Sequence, residues 1–216
     1  MKKLSFVVAA IVLLSSIFAT ATYLYNKQKA DDANTNAQKY DLNLERDYSP
    51  TIGDKSAKVT IVEFFDPACE TCRDFSGFLK QAMEANPGKI RLVMRYLPLH
   101  QGSDEVVKII EAAHQQNKFW EILDDAYASQ STWAINHVAQ PELFWKMLAN
   151  SKLDIEKAKQ DAKSAVIAQR IQQDISDARQ LNVTKTPGFF VNGKPLINFG
   201  YQPLQELIEA EIRSKY

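Results

Sequence analysis

The chain holds only two cysteines, Cys69 and Cys72, and they are separated by two residues. Directly before them, Val59-Thr60-Ile61-Val62-Glu63-Phe64-Phe65 is β-branched and aromatic and reads as a buried strand. Asp66-Pro67 then reads as a turn, and Arg73 to Glu84 as a helix. A dithiol at a helix start lies among unsatisfied N–H groups and a partial positive charge, which favour thiolate over thiol. Cys69 is therefore the candidate nucleophile. Cys72, one turn further in, is the expected partner and the more buried of the two. The chemistry of such a pair is thiol–disulfide exchange. A zinc site would need a second pair of ligands, yet His100, His114 and His137 stand singly, without metal-like spacing. An inert bridge closing so short a loop would constrain the unfolded chain little.

These residues need a core to position them. At 216 residues the chain holds one domain of ordinary size and a tail, and 45% hydrophobic content with three tryptophans is ample for a core. Lysine plus arginine equals aspartate plus glutamate, at 26 each, so no basic field attracts nucleic acid, and no nucleic-acid role is expected. Two cysteines are too few for a disulfide scaffold. After the active-site helix, Asn86-Pro87-Gly88 is a stop and Ile90 to Leu97 a second strand, which implies a βαβ crossover with parallel strands. From Ser103 to about Leu181 only helices are expected: Asp104 to Gln116, Lys118 to Ser129, Pro141 to Asn150 and Asp154 to Arg179. Core packing is the preferred reading of Phe119-Trp120 and Phe144-Trp145. Pro187 to Ile197 reads as a hairpin turning at Asn192-Gly193, and a last helix spans about Pro203 to Arg213.

The N-terminus is of another kind. Met1-Lys2-Lys3 precedes an apolar run, Leu4 to Leu24, which marks export. Ala19-Thr20-Ala21 offers a cleavage pattern, while the length of the run would span a bilayer with Tyr23 and Tyr25 at the interface. Residues 1–25 are thus a removed signal or a retained anchor, and the balance favours the anchor. Either places the cysteines where disulfides persist. Residues 26–48 read as a polar, flexible stalk, whose part from Asn26 to about Lys39 reaches ~20 Å as a coil, with a short edge strand at Tyr40 to Leu44 and a turn at Ser49 to Gly53. The domain proper is expected over 49–216.

From Ser49 onward the chain resembles the DsbA-like branch of the thioredoxin superfamily. Four features carry the resemblance: Glu63-Phe64-Phe65 before the dithiol, CxxC at the helix start, the long helical insert at about 103–181, and Thr186-Pro187 before the final hairpin. The implied fold is α/β, a thioredoxin fold with an all-helical insertion. The resemblance further implies that Pro187 is cis beside Cys69, that the Thr186 backbone pairs with extended substrates, and that Glu63 is a buried carboxylate exchanging protons with Cys72. The family's site makes Cys69, Cys72 and Glu63 the catalytic positions, and Thr186, Pro187, Glu70 and Thr71 the substrate-contacting ones. A surface-facing Glu63 is the alternative on residue type alone. Between the cysteines the best-known oxidase pattern has Pro-His, whereas this chain has Glu70-Thr71. Glu70, Asp66 and Asp74 add negative charge against Arg73, so a less stabilised thiolate and a less oxidising disulfide are expected than in the strongest oxidases.

The function implied is an exported thiol:disulfide oxidoreductase acting on folding proteins, first as a disulfide donor. It would use no cofactor or metal beyond the Cys69-Cys72 disulfide, act as a monomer, and be re-oxidised by a membrane redox partner. A reductase or isomerase of the same fold is the alternative. A metal carrier or chaperone module is the alternative from outside the enzymes.

Overall fold

A computed structural model describes residues 2–39 and 44–216 of the chain; within the first helix it describes the side chains of residues 11–29, 31 and 32. Helix α1 (Lys2–Lys39) precedes strand β1 (Thr51–Gly53) and strand β2 (Val59–Phe65). Helix α2 (Glu70–Ala85) connects β2 to β3 (Ile90–Tyr96). The insert follows as α3 (Ser103–His114), α4 (Phe119–Ala128), α5 (Gln130–Trp133), β4 (Ala134–Ile135), β5 (Val138–Ala139), α6 (Pro141–Met147), α7 (Ile155–Asp161) and α8 (Ala165–Gln180). Strands β6 (Gly188–Val191) and β7 (Lys194–Pro195) and helix α9 (Tyr201–Lys215) close the chain.

The main sheet has five strands in the order β1-β3-β2-β6-β7. As the βαβ reading requires, β2 and β3 are parallel, while β6 lies antiparallel on the other side of β2. Six of the seven residues of β2 are buried, so both its faces meet core. Val59, Ile61 and Phe65 join a large cluster with Cys72, Phe75 and Leu79 of α2, Leu204 and Ile208 of α9, and the insert. Val62 and Phe64 point the other way, against Val93, Leu97, Phe190, Ala178 and Leu181. By this alternation Glu63 faces the same side as Cys72. The Asn192-Gly193 turn has φ of 48° and 81°, the two positive values a tight hairpin of this kind needs.

On the second face lies a buried ion cluster. Arg95, fully buried, donates from Nε to Asp174 Oδ1 at 3.0 Å and from its guanidinium to Asp177. Asp174 also accepts from Tyr48 Oη and the Tyr96 backbone N–H, both at 2.8 Å. Arg46 reaches Asp177 with two bonds of 2.9 and 2.8 Å, and Arg91 pairs with Glu45. The cluster therefore ties α8 and residues 44–48 to β3.

Several expectations are corrected here. Residues 44–48 belong to the domain through these ion pairs, rather than to the stalk. The composition of Asn26 to Lys39 reads as coil, but α1 continues through Lys39. The stretch has no Gly or Pro and is well supplied with Ala, Lys and Gln, so extending an existing helix is cheap. The edge strand expected at Tyr40 to Leu44 falls largely outside the described residues, and the edge is β1 instead, where Thr51 and Ile52 pair with Val93 and Leu92. The insert is not all-helical: Asn136 and His137, with φ of 53° and 61°, turn the β4-β5 hairpin. The single helix read from Asp154 to Arg179 is two, because Ser164 caps α8 by accepting from Ile167 N. Among the described residues, no helix is long and apolar enough to cross a membrane.

Replacing Arg95 with Leu leaves Asp174 a buried charge without its cation and takes one of the two arginines from Asp177. The expected loss is about 3–5 kcal/mol in denaturant unfolding, and a loss below about 1 kcal/mol would show that the cluster carries little of the fold.

Candidate active site

Cys69 is the N-cap residue of α2, with extended backbone (φ −79°, ψ 118°). Ordinarily a Ser or Asp oxygen in this place accepts from the helix's free amides. Here the sulfur stands in that place, with no side-chain hydrogen bond capping the helix. The Cys69 pKa falls from 9.0 to about 6, first through the hydrogen bond donated by the Cys72 thiol, against the opposing effect of burial, and then through the backbone of Cys72, the side chain of Thr186 and the backbone of Thr71. Cys72 is fully buried, and burial first, with the bond to Cys69 and the nearness of Glu63 next, pushes its thiol well above 9.0. The two sulfurs are thus split into an easily ionised one and a protonated one. Both are free thiols in this structure.

Glu63 is 1% exposed, between Met94 of β3 and Phe189 of β6 in the sheet register. This overturns the surface-facing reading. Burial, with the Cys69 charge second, raises its pKa from 4.5 to about 8, so the carboxyl is neutral at pH 7. Its Oε1 has no hydrogen-bond partner.

Thr186-Pro187 is a cis peptide, and Cys69 Sγ lies 3.4 Å from the Thr186 carbonyl oxygen. The following Gly188 admits no side chain, since a Cβ there would stand 2.5 Å from Val183 Cγ1. A cleft of about 660 Å³ opens beside this loop, lined by Thr71, Thr186, Pro187, Leu196 and Phe199, and by Tyr25 and Lys29 of α1. Thr71 is exposed where it lines the cleft, and Glu70 beside it is exposed as well.

Three residues missed from sequence hold the cysteine loop. Asp66, read only as turn and local negative charge, is fully buried and turned inward. Its Oδ1 accepts from Ala68 N at 2.8 Å, and its Oδ2 from Leu99 N, His100 N and Ser103 Oγ at 2.7, 2.8 and 3.1 Å, with His100 Nδ1 at 2.7 Å. Gln130 of the insert donates to the carbonyls of Pro67 and Cys69 at 2.9 and 3.1 Å, and accepts from Arg73 at 3.1 Å. Ser103 is the third. No local pattern marks Gln130 or Ser103, because their partners lie 63 and 37 residues away. His100 and His137 stack at 5.8 Å rather than standing apart.

A family model described as thioredoxin matches residues 45–210. The chain is 28% identical to a probable disulfide bond formation protein D of Bacillus anthracis over 171 residues, 76% of this chain and 78% of that one. It is 29% identical over 190 residues to an Na(+)/H(+) antiporter NhaA of Herminiimonas arsenicoxydans, a match to 86% of this chain but only 30% of the antiporter. A solved thioredoxin-like oxidoreductase from Silicibacter pomeroyi DSS-3 is similar with a TM-score of 0.68 and 26% identity, over 79% of this chain and 95% of that one.

The split of the thiols has a pH signature. In the reduced protein, alkylation of Cys69 should be half-maximal near pH 6, with Cys72 unreactive. A folded pKa of about 6 against 9.0 unfolded also stabilises the reduced fold, fully above pH 9 and progressively less as pH falls through 6. Denaturant midpoints of reduced minus oxidised protein should therefore rise from pH 5 to pH 8; a flat difference would refute the stabilised thiolate.

Proposed function

The chain belongs to the thioredoxin family, and from that premise we propose that it is an exported thiol:disulfide oxidoreductase that donates the Cys69-Cys72 disulfide to folding proteins. One observation carries the reading: the N-cap Cys69 ionises easily while Cys72 and Glu63 behind it stay protonated. A substrate thiolate attacks the Cys69 sulfur, the Cys69-Cys72 bond breaks, and its electron pair leaves on Cys72. Glu63, neutral and buried, supplies a proton to that sulfur. A second substrate thiolate then attacks the substrate sulfur of the mixed disulfide and expels Cys69. Expulsion is fast because a low-pKa thiolate is a good leaving group.

Extended substrate backbone would pair with the carbonyl and amide of Thr186, beside Pro187, with Glu70 and Thr71 at the rim of the cleft. The same chemistry is named for the Bacillus anthracis relative, a probable disulfide bond formation protein. The cycle closes only if an oxidant takes two electrons from the reduced pair, which makes a membrane redox protein the natural partner. An extracytoplasmic place follows from the disulfide chemistry. The apolar start supports it, since α1 exposes Ile11, Leu14, Phe18 and Leu24, side chains that a lipid-facing segment would carry.

The test is the redox equilibrium of the full chain with glutathione. A potential of roughly −120 to −180 mV marks a disulfide donor, and roughly −250 mV or below marks a reductase and overturns the direction proposed. Glu70 occupies the first helical position beside the thiolate and is exposed, so Glu70→His should raise the potential and lower the Cys69 pKa without disturbing the core. If neither moves, charge at this position does not set the redox poise.

A further inference from the structure

Two buried side-chain oxygens among the described residues have no hydrogen-bond partner: Glu63 Oε1 and Tyr127 Oη. Both belong to the same side of the sheet. Glu63 lies between Ile61 and Phe65, which join the large core cluster, and Cys72 and Tyr127 are members of that cluster. Tyr127 is 6% exposed and sits in the last turn of α4. Three residues on, Gln130 is bonded to the carbonyls of Pro67 and Cys69, which fixes this end of the insert against the cysteine loop. The groups that weigh on the Tyr127 hydroxyl after burial are Cys72, Glu63, Cys69 and Asp66, all of which become negative on ionising. A phenol left without a partner in such surroundings is a costly arrangement, and so is an orphan carboxyl oxygen. Two buried orphans on one side of the sheet, near enough to weigh on each other, are what a bridging buried water satisfies.

We propose that Tyr127, delivered by the insert, hydrogen-bonds the Glu63 carboxyl through one buried water and thereby positions the proton that Glu63 exchanges with Cys72. The proposal rests on the disulfide-exchange reading and deepens it. As the incoming thiolate bonds to Cys69 Sγ, the Cys69-Cys72 bond breaks and its electron pair goes to Cys72 Sγ, which takes the proton of Glu63. The incoming sulfur is oxidised and Cys72 is reduced. The carboxylate left on Glu63 accepts from the water, and the water accepts from Tyr127, which keeps its own proton throughout. Tyr127 is thus a positioning residue. It stabilises the anion Glu63 becomes, and so makes Glu63 a stronger acid than burial alone would allow.

The experiment is the rate at which glutathione opens the Cys69-Cys72 disulfide, followed from pH 6 to pH 10 in the full chain, for wild type, Tyr127→Phe, Glu63→Gln and the double variant. Per glutathione thiolate, wild type should slow at alkaline pH, as Glu63, whose pKa burial raises, loses its proton. Tyr127→Phe should be roughly 3- to 10-fold slower below that inflection and shift it upward by about one pH unit, the scale of one lost hydrogen bond. In the Glu63→Gln background Tyr127→Phe should have no further effect. An unmoved inflection, or equal slowing with and without Glu63, would reduce Tyr127 to packing and overturn the proposal. If Tyr127→Phe does not fold, 3-fluorotyrosine at this position keeps the ring and makes the hydroxyl a stronger donor. The inflection must then move downward for the proposal to stand. A wild-type disulfide that does not exchange with glutathione at all would overturn the functional reading itself, and this proposal with it.

Discussion

The carboxylate of Asp66, shut away from solvent, is the constraint around which the site is built. A charge in that position is tolerable only if hydrogen bonds replace its water. The chain supplies them from the turn itself, through Ala68 N, and from the start of the next element, through Leu99 N, His100 and Ser103. These bonds fix the cysteine turn to the segment that leaves β3, and with it the direction in which α2 begins. The free amides of α2 then point at Cys69, and the thiolate is stabilised by geometry already in place before a substrate arrives.

The sheet divides its labour between faces. On one, Arg95, Asp174 and Asp177 join α8 and the entering chain to β3 by buried ion pairs. On the other, Glu63 and Cys72 are left in an apolar enclosure where a carboxyl and a thiol both retain protons at neutral pH. A cation on the face that holds Glu63 would have pulled its carboxyl toward its ordinary ionisation. The charged groups of β3, Arg91 and Arg95, instead pair with Glu45, Asp174 and Asp177 on the opposite face.

Much of this was legible locally. The dithiol, the β-branched strand before it, the parallel crossover and the Asn192-Gly193 hairpin each depend on neighbours within a few residues. The family resemblance added the cis Pro187 and the buried Glu63, which local pattern alone left open. What sequence hid is non-local. Apart from Ala68 N, the donors to Asp66 come from more than thirty residues downstream, and Gln130 is a polar residue in a four-residue helix whose value lies in two carbonyls far away in sequence. Helix breaks were hidden for another reason. Ser164 is an ordinary polar residue until its hydroxyl caps α8, and Asn136-His137 has no signature as strong as Asn-Gly.

The insert holds the cysteine loop through Ser103 on Asp66 and Gln130 on the loop carbonyls, and holds β3 through Asp174 on the amide of Tyr96. It is therefore not an appendage that could be trimmed back to a minimal core or traded wholesale between relatives. A transplanted insert would have to bring a hydroxyl, an amide and a carboxylate to the same three addresses, or leave their partners in the cysteine loop and β3 without their bonds. In lineage terms, the reach of this segment is free to vary only on the side turned away from the sheet.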